Sequence, residues 1–327
     1  VTSRGLRTDD QDGFDRPRRR TRPRTKDRPD YSDAEIGMVI TVDRGRYRCL
    51  VGDDREVSAA KARQLGRGGV IVGDRVRLVG DTSGEEGTLA RIVQVEERET
   101  VLRRTADDDD PYERPIVANA DQLAIVTALA DPPPRTGMID RILVAGYDAG
   151  LQPLLCLTKA DLASPDELVE AYEPLNVPIV VTRPDSDLST LRGLLAGHRS
   201  VFVGHSGVGK STLVNALIPG VDRAIGIVNE VTGRGRHTST SAIALLLPEP
   251  GGWVIDTPGV RSFGLSHVSP ANIVAAFSDL SAFTGDCPRG CSHDNAAVGC
   301  GLDEAVERGQ LSRRRLESFR RMLTSGQ

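Results

Sequence analysis

The chain lacks any apolar run long enough to cross a bilayer, and its opening segment is too polar and too proline-interrupted to be a secretory signal. Both absences predict a soluble cytoplasmic protein with no membrane contact. Aromatic residues are scarce, with 1 Trp, 6 Phe and 5 Tyr in 327 residues, so a surface that stacked nucleobases would have few rings to use. Excess charge of one sign is also missing: a formal net charge of -4 argues against polyanion binding by the whole surface and leaves local patches. The 5 cysteines are unevenly spread, with Cys287, Cys291 and Cys300 bunched while Cys49 and Cys156 lie in apolar, strand-like runs. In a reducing compartment a bunched set points to metal rather than disulfides. No internal period suggests a solenoid.

What is present divides the chain into two or three domains' worth of residues. The segment to about Asp30 carries Arg16, Arg18, Arg19, Arg20, Arg22, Arg24, Lys26 and Arg28 with few apolar residues to order it, and reads as a disordered basic arm. From about Ile36 to Arg104, short alternating strands at 37–42, 47–51, 70–72, 76–79 and 89–95 are punctuated by glycine. That pattern predicts a small closed barrel, with an OB-fold as the natural candidate beside other small barrels and sandwiches. Asp107-Asp108-Asp109-Asp110-Pro111 breaks it and reads as an exposed linker. Beyond, strands at 123–129, 153–157, 178–182 and 200–203 alternate with helices at 137–150, 164–176 and around 188–195, which implies a mostly parallel sheet covered on both faces.

Chemistry concentrates in three motifs. Gly204-His205-Ser206-Gly207-Val208-Gly209-Lys210-Ser211, with Thr212 after it, lies between a strand and a helix. Its glycines let successive amides face phosphates, the helix N-terminus adds a favourable dipole, Lys210 neutralises β and γ oxygens, and Ser211 offers a hydroxyl to Mg²⁺. Alone, this loop fits a GTPase, an ATPase or a kinase. Thr158-Lys159-Ala160-Asp161 separates them, because the Asp161 carboxylate can accept from both N1–H and the exocyclic amine of guanine, and Lys159 can lie along the base; the plainer alternative is a helix start capped by Asp161. Asp256-Thr257-Pro258-Gly259 ends an apolar strand, as expected of a carboxylate that holds Mg²⁺ through water and of a Gly259 amide that senses the γ-phosphate, although such residues also make ordinary turns. The base-reading motif precedes the phosphate loop, the reverse of Ras-like GTPases, so the parts look circularly permuted.

Between them runs Thr232-Gly233-Arg234-Gly235-Arg236-His237-Thr238-Ser239-Thr240. Thr238, or alternatively Thr240, is the candidate hydroxyl for Mg²⁺. Val260 stands where Ras-like enzymes place a water-positioning glutamine, so the catalytic candidate is His237, which can equally be an ordinary exposed loop histidine. Cys287, Cys291, His293 and Cys300 suit one tetrahedral structural Zn²⁺, a set of free cysteines being the alternative. The segment after them, with Arg308, Arg313, Arg314, Arg315, Arg320 and Arg321 among leucines, reads as a basic amphipathic helix that meets phosphate, a solvated surface being the alternative.

Together these residues resemble the RsgA or YjeQ family of circularly permuted GTPases. Val72-Gly73-Asp74-Arg75-Val76, Ala118-Asn119-Ala120-Asp121-Gln122 and Ile139-Asp140-Arg141 add to the likeness, which runs from Ile36 onward. The resemblance implies a multidomain α/β protein with an OB-fold over 35–106, a permuted P-loop GTPase domain over 116–268 and a helical zinc-binding domain over 269–327; the disordered arm to residue 34 and the acidic linker over 107–115 are read from composition and have no counterpart in that family. It further implies Mg²⁺ with GTP, one structural zinc, a monomer that binds the small ribosomal subunit and its rRNA late in maturation, hydrolysis stimulated by that subunit, and release afterwards. An rRNA-binding scaffold using GTP as a structural ligand and a P-loop ATPase or kinase are the competing readings. The chain departs from the family in Thr158, which replaces an asparagine and should shorten or lose one contact to the base edge, in the cysteine spacing, and in Thr182-Arg183, where a Ser-Ala guanine contact would be expected.

Overall fold

A computed structural model describes residues 30–66, 69–105, 113–220, 242–259, 270–275, 277–295 and 297–325, with Ala34–Gln327 forming one unit and Val1–Asp33 another. The basic arm, the acidic run and the Gly-Arg-His-Thr segment lie outside the described residues.

β1 (Glu35–Asp43) turns through Arg44-Gly45, both at positive φ, into β2 (Arg46–Val51). Such a two-residue turn matches the right-handed twist of its strands. β3 (Arg55–Lys61), β4 (Arg75–Gly80) and β5 (Ala90–Val95) complete the order β1-β2-β3-β5-β4, and β4 returns to pair with β1. This closes a five-stranded, OB-like barrel around Val39, Cys49, Val57, Val76, Leu78 and Ile92. β3 carries little sequence signal, because only Val57 and Ala59 of its seven residues are buried. Val70–Val72, expected as a strand, contributes only the bridge from Val72 to Val117.

β6 (Val101–Thr105) and β7 (Glu113–Ala118) pair antiparallel on either side of the acidic run. Glu113, Arg114 and Pro115, expected in an exposed linker, are instead laddered to Thr105, Arg104 and Arg103.

β8 (Gln122–Ala128), β9 (Gln152–Thr158), β10 (Ile179–Val181), β11 (Arg199–Gly204), β12 (Ile243–Leu246) and β13 (Trp253–Asp256) follow in the order β10-β9-β8-β11-β13-β12, parallel except for β12 against β13. α1 (Thr136–Asp148) and α2 (Asp166–Tyr172) cover one face; α3 (Ser189–Leu195) and α4 (Lys210–Leu217) cover the other. Within β8, Leu123 and Ile125 face the first layer and Ala124 and Val126 the second, the burial on both sides expected of a parallel sheet. The helix expected over 164–176 ends at Tyr172 and passes into a 3-10 turn, Glu173–Leu175, because Pro174 has no amide for the α ladder.

Thr41 of β1 pairs with Ile243 of β12, which joins barrel and central sheet into 11 strands. A polar joint locks the same junction. Asp74 is 0% exposed; Arg98 donates to its two carboxylate oxygens at 2.7 and 2.9 Å, and the Ile71 amide donates at 2.8 Å. Asn119 donates to the Gly73 carbonyl at 2.9 Å and accepts from the Glu99 amide at 2.8 Å. A Cβ on Gly73 would lie 1.9 Å from the Ala118 carbonyl oxygen, so only glycine fits there.

α5 (Pro270–Ala275), α6 (Ser278–Ser281), α7 (Gly301–Glu307) and α8 (Arg313–Ser325) pack on the α1 face. Arg315, Arg320 and Arg321 of the basic segment are engaged within the fold, while Arg308, Arg313 and Arg314 stay exposed. Arg308 pairs with Glu304 at 2.8 Å, Arg314 with Glu170 at 3.0 Å, Arg315 with Asp279 at 2.8 Å, Arg320 with Asp303 at 2.7 Å and Arg321 with Asp140 at 3.3 Å. A guanidinium fork matches a carboxylate, and most of these pairs fasten α8 to its surroundings above the buried stripe of Leu316, Phe319 and Met322. Among the described residues no helix is long and apolar enough to cross a membrane.

Candidate functional site

Three loops leave the carboxyl ends of parallel strands along one edge of the sheet, where open α/β sheets receive ligands. Thr158 ends β9, Gly204 ends β11 and Asp256 ends β13. β8 lies between β9 and β11, and β13 flanks β11, so motifs far apart in sequence meet at one rim.

The phosphate loop turns through Gly207 and Gly209 at φ 84° and 87°. A Cβ on Gly204 would come 2.4 Å from the Val126 carbonyl oxygen, so β11 can start the loop this close to β8 only without a side chain. Gly209 caps α4, which places Lys210, Ser211 and Thr212 in its first turn, the end of a helix that favours an anion. Val208 is buried beneath the loop while Ser206, Ser211 and Thr212 are exposed. His205 Nδ1 donates to the Ser206 carbonyl at 2.8 Å.

The aspartate motif is packed onto this loop. The Lys210 ammonium donates to the Asp256 carboxylate and to the Thr257 carbonyl. The Thr257 hydroxyl donates to the Phe202 carbonyl at 2.7 Å, tying the motif to β11. A Cβ on Gly259 would sit 3.3 Å from the backbone of Ser206, so the aspartate motif packs closely on the glycine-rich loop. Asp256 and Ser211 supply a carboxylate and a hydroxyl, the hard oxygen donors that suit Mg²⁺ in company with phosphate and water. His237, Thr238, Thr240 and Val260 lie outside the described residues.

The base-reading turn is built from β9. Thr158 is 5% exposed, and its hydroxyl is turned toward the phosphate loop, 2.5 Å from the Val208 carbonyl oxygen, with the Thr127 carbonyl 3.2 Å away. Lys159, at φ 58°, sends its ammonium to the Asp131 carbonyl. Asp161 is exposed beyond them. The Ala160 amide donates to the Thr182 carbonyl at 3.1 Å, which sets Thr182-Arg183 beside the turn, and the Arg183 amide donates to the Ser186 hydroxyl at 3.3 Å.

Sequence reading missed Asp131 and Pro132, which enter the site from the loop before α1: Lys159 holds the first, and the second lies 3.7 Å from where a Gly207 Cβ would be. The run Asp131-Pro132-Pro133-Pro134 was the available signal, since successive prolines stiffen a loop.

Cys287, Cys291, His293 and Cys300 converge, their ligand atoms all within 4.8 Å of one another. His293 Nδ1 lies 3.7 Å from Cys287 Sγ and 3.6 Å from Cys300 Sγ. A tetrahedral zinc with ordinary Zn–S and Zn–N lengths has S···N edges of about 3.6 Å, so the donor set fits that ion in type and spacing. Burial, helped by the Arg320 charge, holds the His293 imidazole below its usual pKa, which favours the neutral form a metal needs. The Gly301 amide donates to Cys287 Sγ at 3.2 Å, and Arg320 donates to the His293 carbonyl at 3.1 Å, so the loop is braced from outside.

A family model described as RsgA GTPase matches residues 95–266. The chain is 41% identical over 265 residues to a Pseudomonas aeruginosa (strain LESB58) protein named small ribosomal subunit biogenesis GTPase RsgA, covering 78% of this chain and 76% of that one. An Azotobacter vinelandii protein of the same name is 40% identical over 265 residues, covering 78% and 75%. The fold matches the crystal structure of YjeQ from Thermotoga maritima with a TM-score of 0.66 and 27% identity, over 89% of this chain and 98% of that one. It also matches YloQ, described as a circularly permuted GTPase, with a TM-score of 0.62 over 91% and 97%, at 23% identity.

Proposed function

The chain belongs to the RsgA GTPase family, and from that premise we infer that it hydrolyses GTP to GDP and phosphate as a factor in small ribosomal subunit biogenesis. The observation that carries this reading at the level of residues is the convergence of Lys210, Asp256 and the Thr158–Asp161 turn on one rim of the sheet.

In the proposed site, the amides of residues 204–212 and the Lys210 ammonium hold the phosphates, Asp161 reads guanine, Lys159 lies along the base and the Gly259 amide meets the γ-phosphate. Ser211 and Thr238 are the proposed Mg²⁺ ligands, with Asp256 acting through water. Held there, Mg²⁺ would supply neutralisation of the charge that develops on the phosphoryl group. His237 orients the attacking water in place of the glutamine that Val260 replaces. Cys287, Cys291, His293 and Cys300 hold one structural zinc with no open position.

The proposed domain limits are 35–106 for the barrel, 116–268 for the GTPase domain and 269–327 for the zinc domain. A cytoplasmic monomer is proposed to bind the small subunit and its rRNA with GTP bound, to be stimulated by the subunit, and to leave after hydrolysis. The test is steady-state GTP hydrolysis with and without small subunits, with large subunits and Lys210→Ala as controls. Stimulation by small subunits alone is expected. Intact GTP binding without stimulation would favour a scaffold that uses GTP as a structural ligand.

A further inference from the structure

Resting on the GTP-binding reading above, we propose that Arg321, near the far end of α8, is a positioning residue for the nucleotide site. Its guanidinium donates to Asp140 at 3.3 Å and to the Ala171 carbonyl at 3.3 Å, and it lies over the Tyr172 ring, 5.1 Å from the centroid. Asp140 is 1% and Tyr172 0% exposed. Asp140 and Tyr172 are therefore enclosed between α8 and the α1 layer, with the Arg321 side chain, 37% exposed, closing them off from solvent.

The Tyr172 hydroxyl reaches two oxygens, Asp140 Oδ1 at 2.9 Å and the Thr136 carbonyl at 3.1 Å. Thr136 opens α1, and that first turn lies against the phosphate loop: Arg135, Met138 and Ile139 line a cavity of about 20 Å³ together with Gly204, His205 and Val208. From the other side, Lys159 holds Asp131 and Gly207 packs on Pro132. The start of α1 is thus fixed between the nucleotide motifs and the Arg321–Asp140–Tyr172 cluster.

Arg320, the adjacent residue of α8, faces the metal cluster. It donates to Asp303 at 2.7 and 2.8 Å and to the His293 carbonyl at 3.1 Å. One helix therefore holds both the loop that carries a metal ligand and the anchor of α1. A change in the seating of the Cys/His module moves α8, and Arg321 passes that change to the first turn of α1 against the phosphate loop. By linkage, nucleotide binding biases the seating of the module in return.

The experiment measures affinity for a fluorescent GDP analogue with Mg²⁺, together with thermal unfolding, on the full chain. The variants are Arg321→Gln, Arg321→Lys, Tyr172→Phe, the Arg321→Gln/Tyr172→Phe double and Arg315→Gln. Arg321→Gln and Tyr172→Phe should each weaken binding roughly 3- to 30-fold, the double no more than the worse single, and Arg321→Lys should recover part of the loss. Arg315→Gln, which loosens the same helix at Asp279 and Pro174, should lower the unfolding temperature and leave affinity unchanged. Wild-type affinity in folded Arg321→Gln, an equal loss in Arg315→Gln, or additive losses in the double variant would overturn the proposal. If Arg321→Gln does not fold, wild-type affinity in Tyr172→Phe overturns it. Failure of the wild type to bind the analogue would overturn the GTP-binding reading instead.

Discussion

The Thr158 hydroxyl lies 2.5 Å from the Val208 carbonyl oxygen, so the first residue of the base-reading turn is a strut under the phosphate loop. The turn proposed to read the base and the loop proposed to hold phosphate share one short hydrogen bond. Thr158→Val keeps the shape, removes the donor and leaves a buried carbonyl without its partner. Nucleotide affinity should fall about 10-fold, while the preference for guanine over adenine, assigned to Asp161, stays unchanged. Thr158→Ser should bind close to wild type. Titration of GDP and ADP against the three proteins checks this, and a collapse of base preference in the valine variant would put Thr158 on the base instead.

Gly73→Ala should destabilise the chain by about 3 kcal/mol, because the new Cβ would meet the Ala118 carbonyl 1.9 Å away at a backbone φ of 88°. Urea unfolding at neutral pH measures the loss. A change within experimental error would mean that the barrel joint yields easily.

Much of this was legible in the residues, for reasons that differ along the chain. The alternation of Leu123 and Ile125 with Ala124 and Val126 announces a sheet buried on both faces, and the glycine-rich run from Gly204 announces the phosphate loop. β3 and β12 were not legible, since one is mostly charged or small and the other is only four residues long. The inward pairing of Arg315, Arg320 and Arg321 was not legible, because an isolated sequence shows a cation and not its partner. Asp140, Asp279 and Asp303 lie far from their arginines in the chain or on other elements, and only folding brings each pair together. The inward turn of Thr158 depends on where Val208 comes to rest, which no local pattern states.

Removing the metal should loosen the C-terminal module without unfolding the sheet. Metal analysis of the purified protein should find about one zinc per chain, and His293→Ala or Cys300→Ser should lose it. Proteolysis after chelation should cut within 277–300 first, since a closed Cys/His site supplies folding energy to the loop that carries it. Equal protease resistance with and without chelator would argue against a structural ion.

Acid should weaken the docking of α8. Hydrogen bonds from Arg320 and Arg315 hold the Asp303 and Asp279 carboxyls below their usual range. A carboxylate depressed in the folded state contributes stability that is present above its ordinary pKa of about 4 and is lost as pH falls through the depressed value. Both aspartate side chains are partly exposed, at 43% and 44%, so solvent screening keeps each contribution small. The unfolding temperature should be level above about pH 5 and decline below it. Asp303→Asn should flatten part of that decline, and an unchanged acid slope in this variant would remove the pair from the account.

The bridge between Thr41 and Ile243 also bears on how the chain stays in solution. β12 is a short apolar strand, Ile243-Ala244-Leu245-Leu246, with β13 on one side and β1 of the barrel on the other. Cut away from the barrel, the GTPase sheet would present that strand as an open rim whose amides and carbonyls invite pairing with another molecule. The barrel covers the Ile243 end of that rim while Leu246 stays 55% exposed, and a fragment lacking it should be more prone to aggregate even with every residue of the proposed nucleotide site in place.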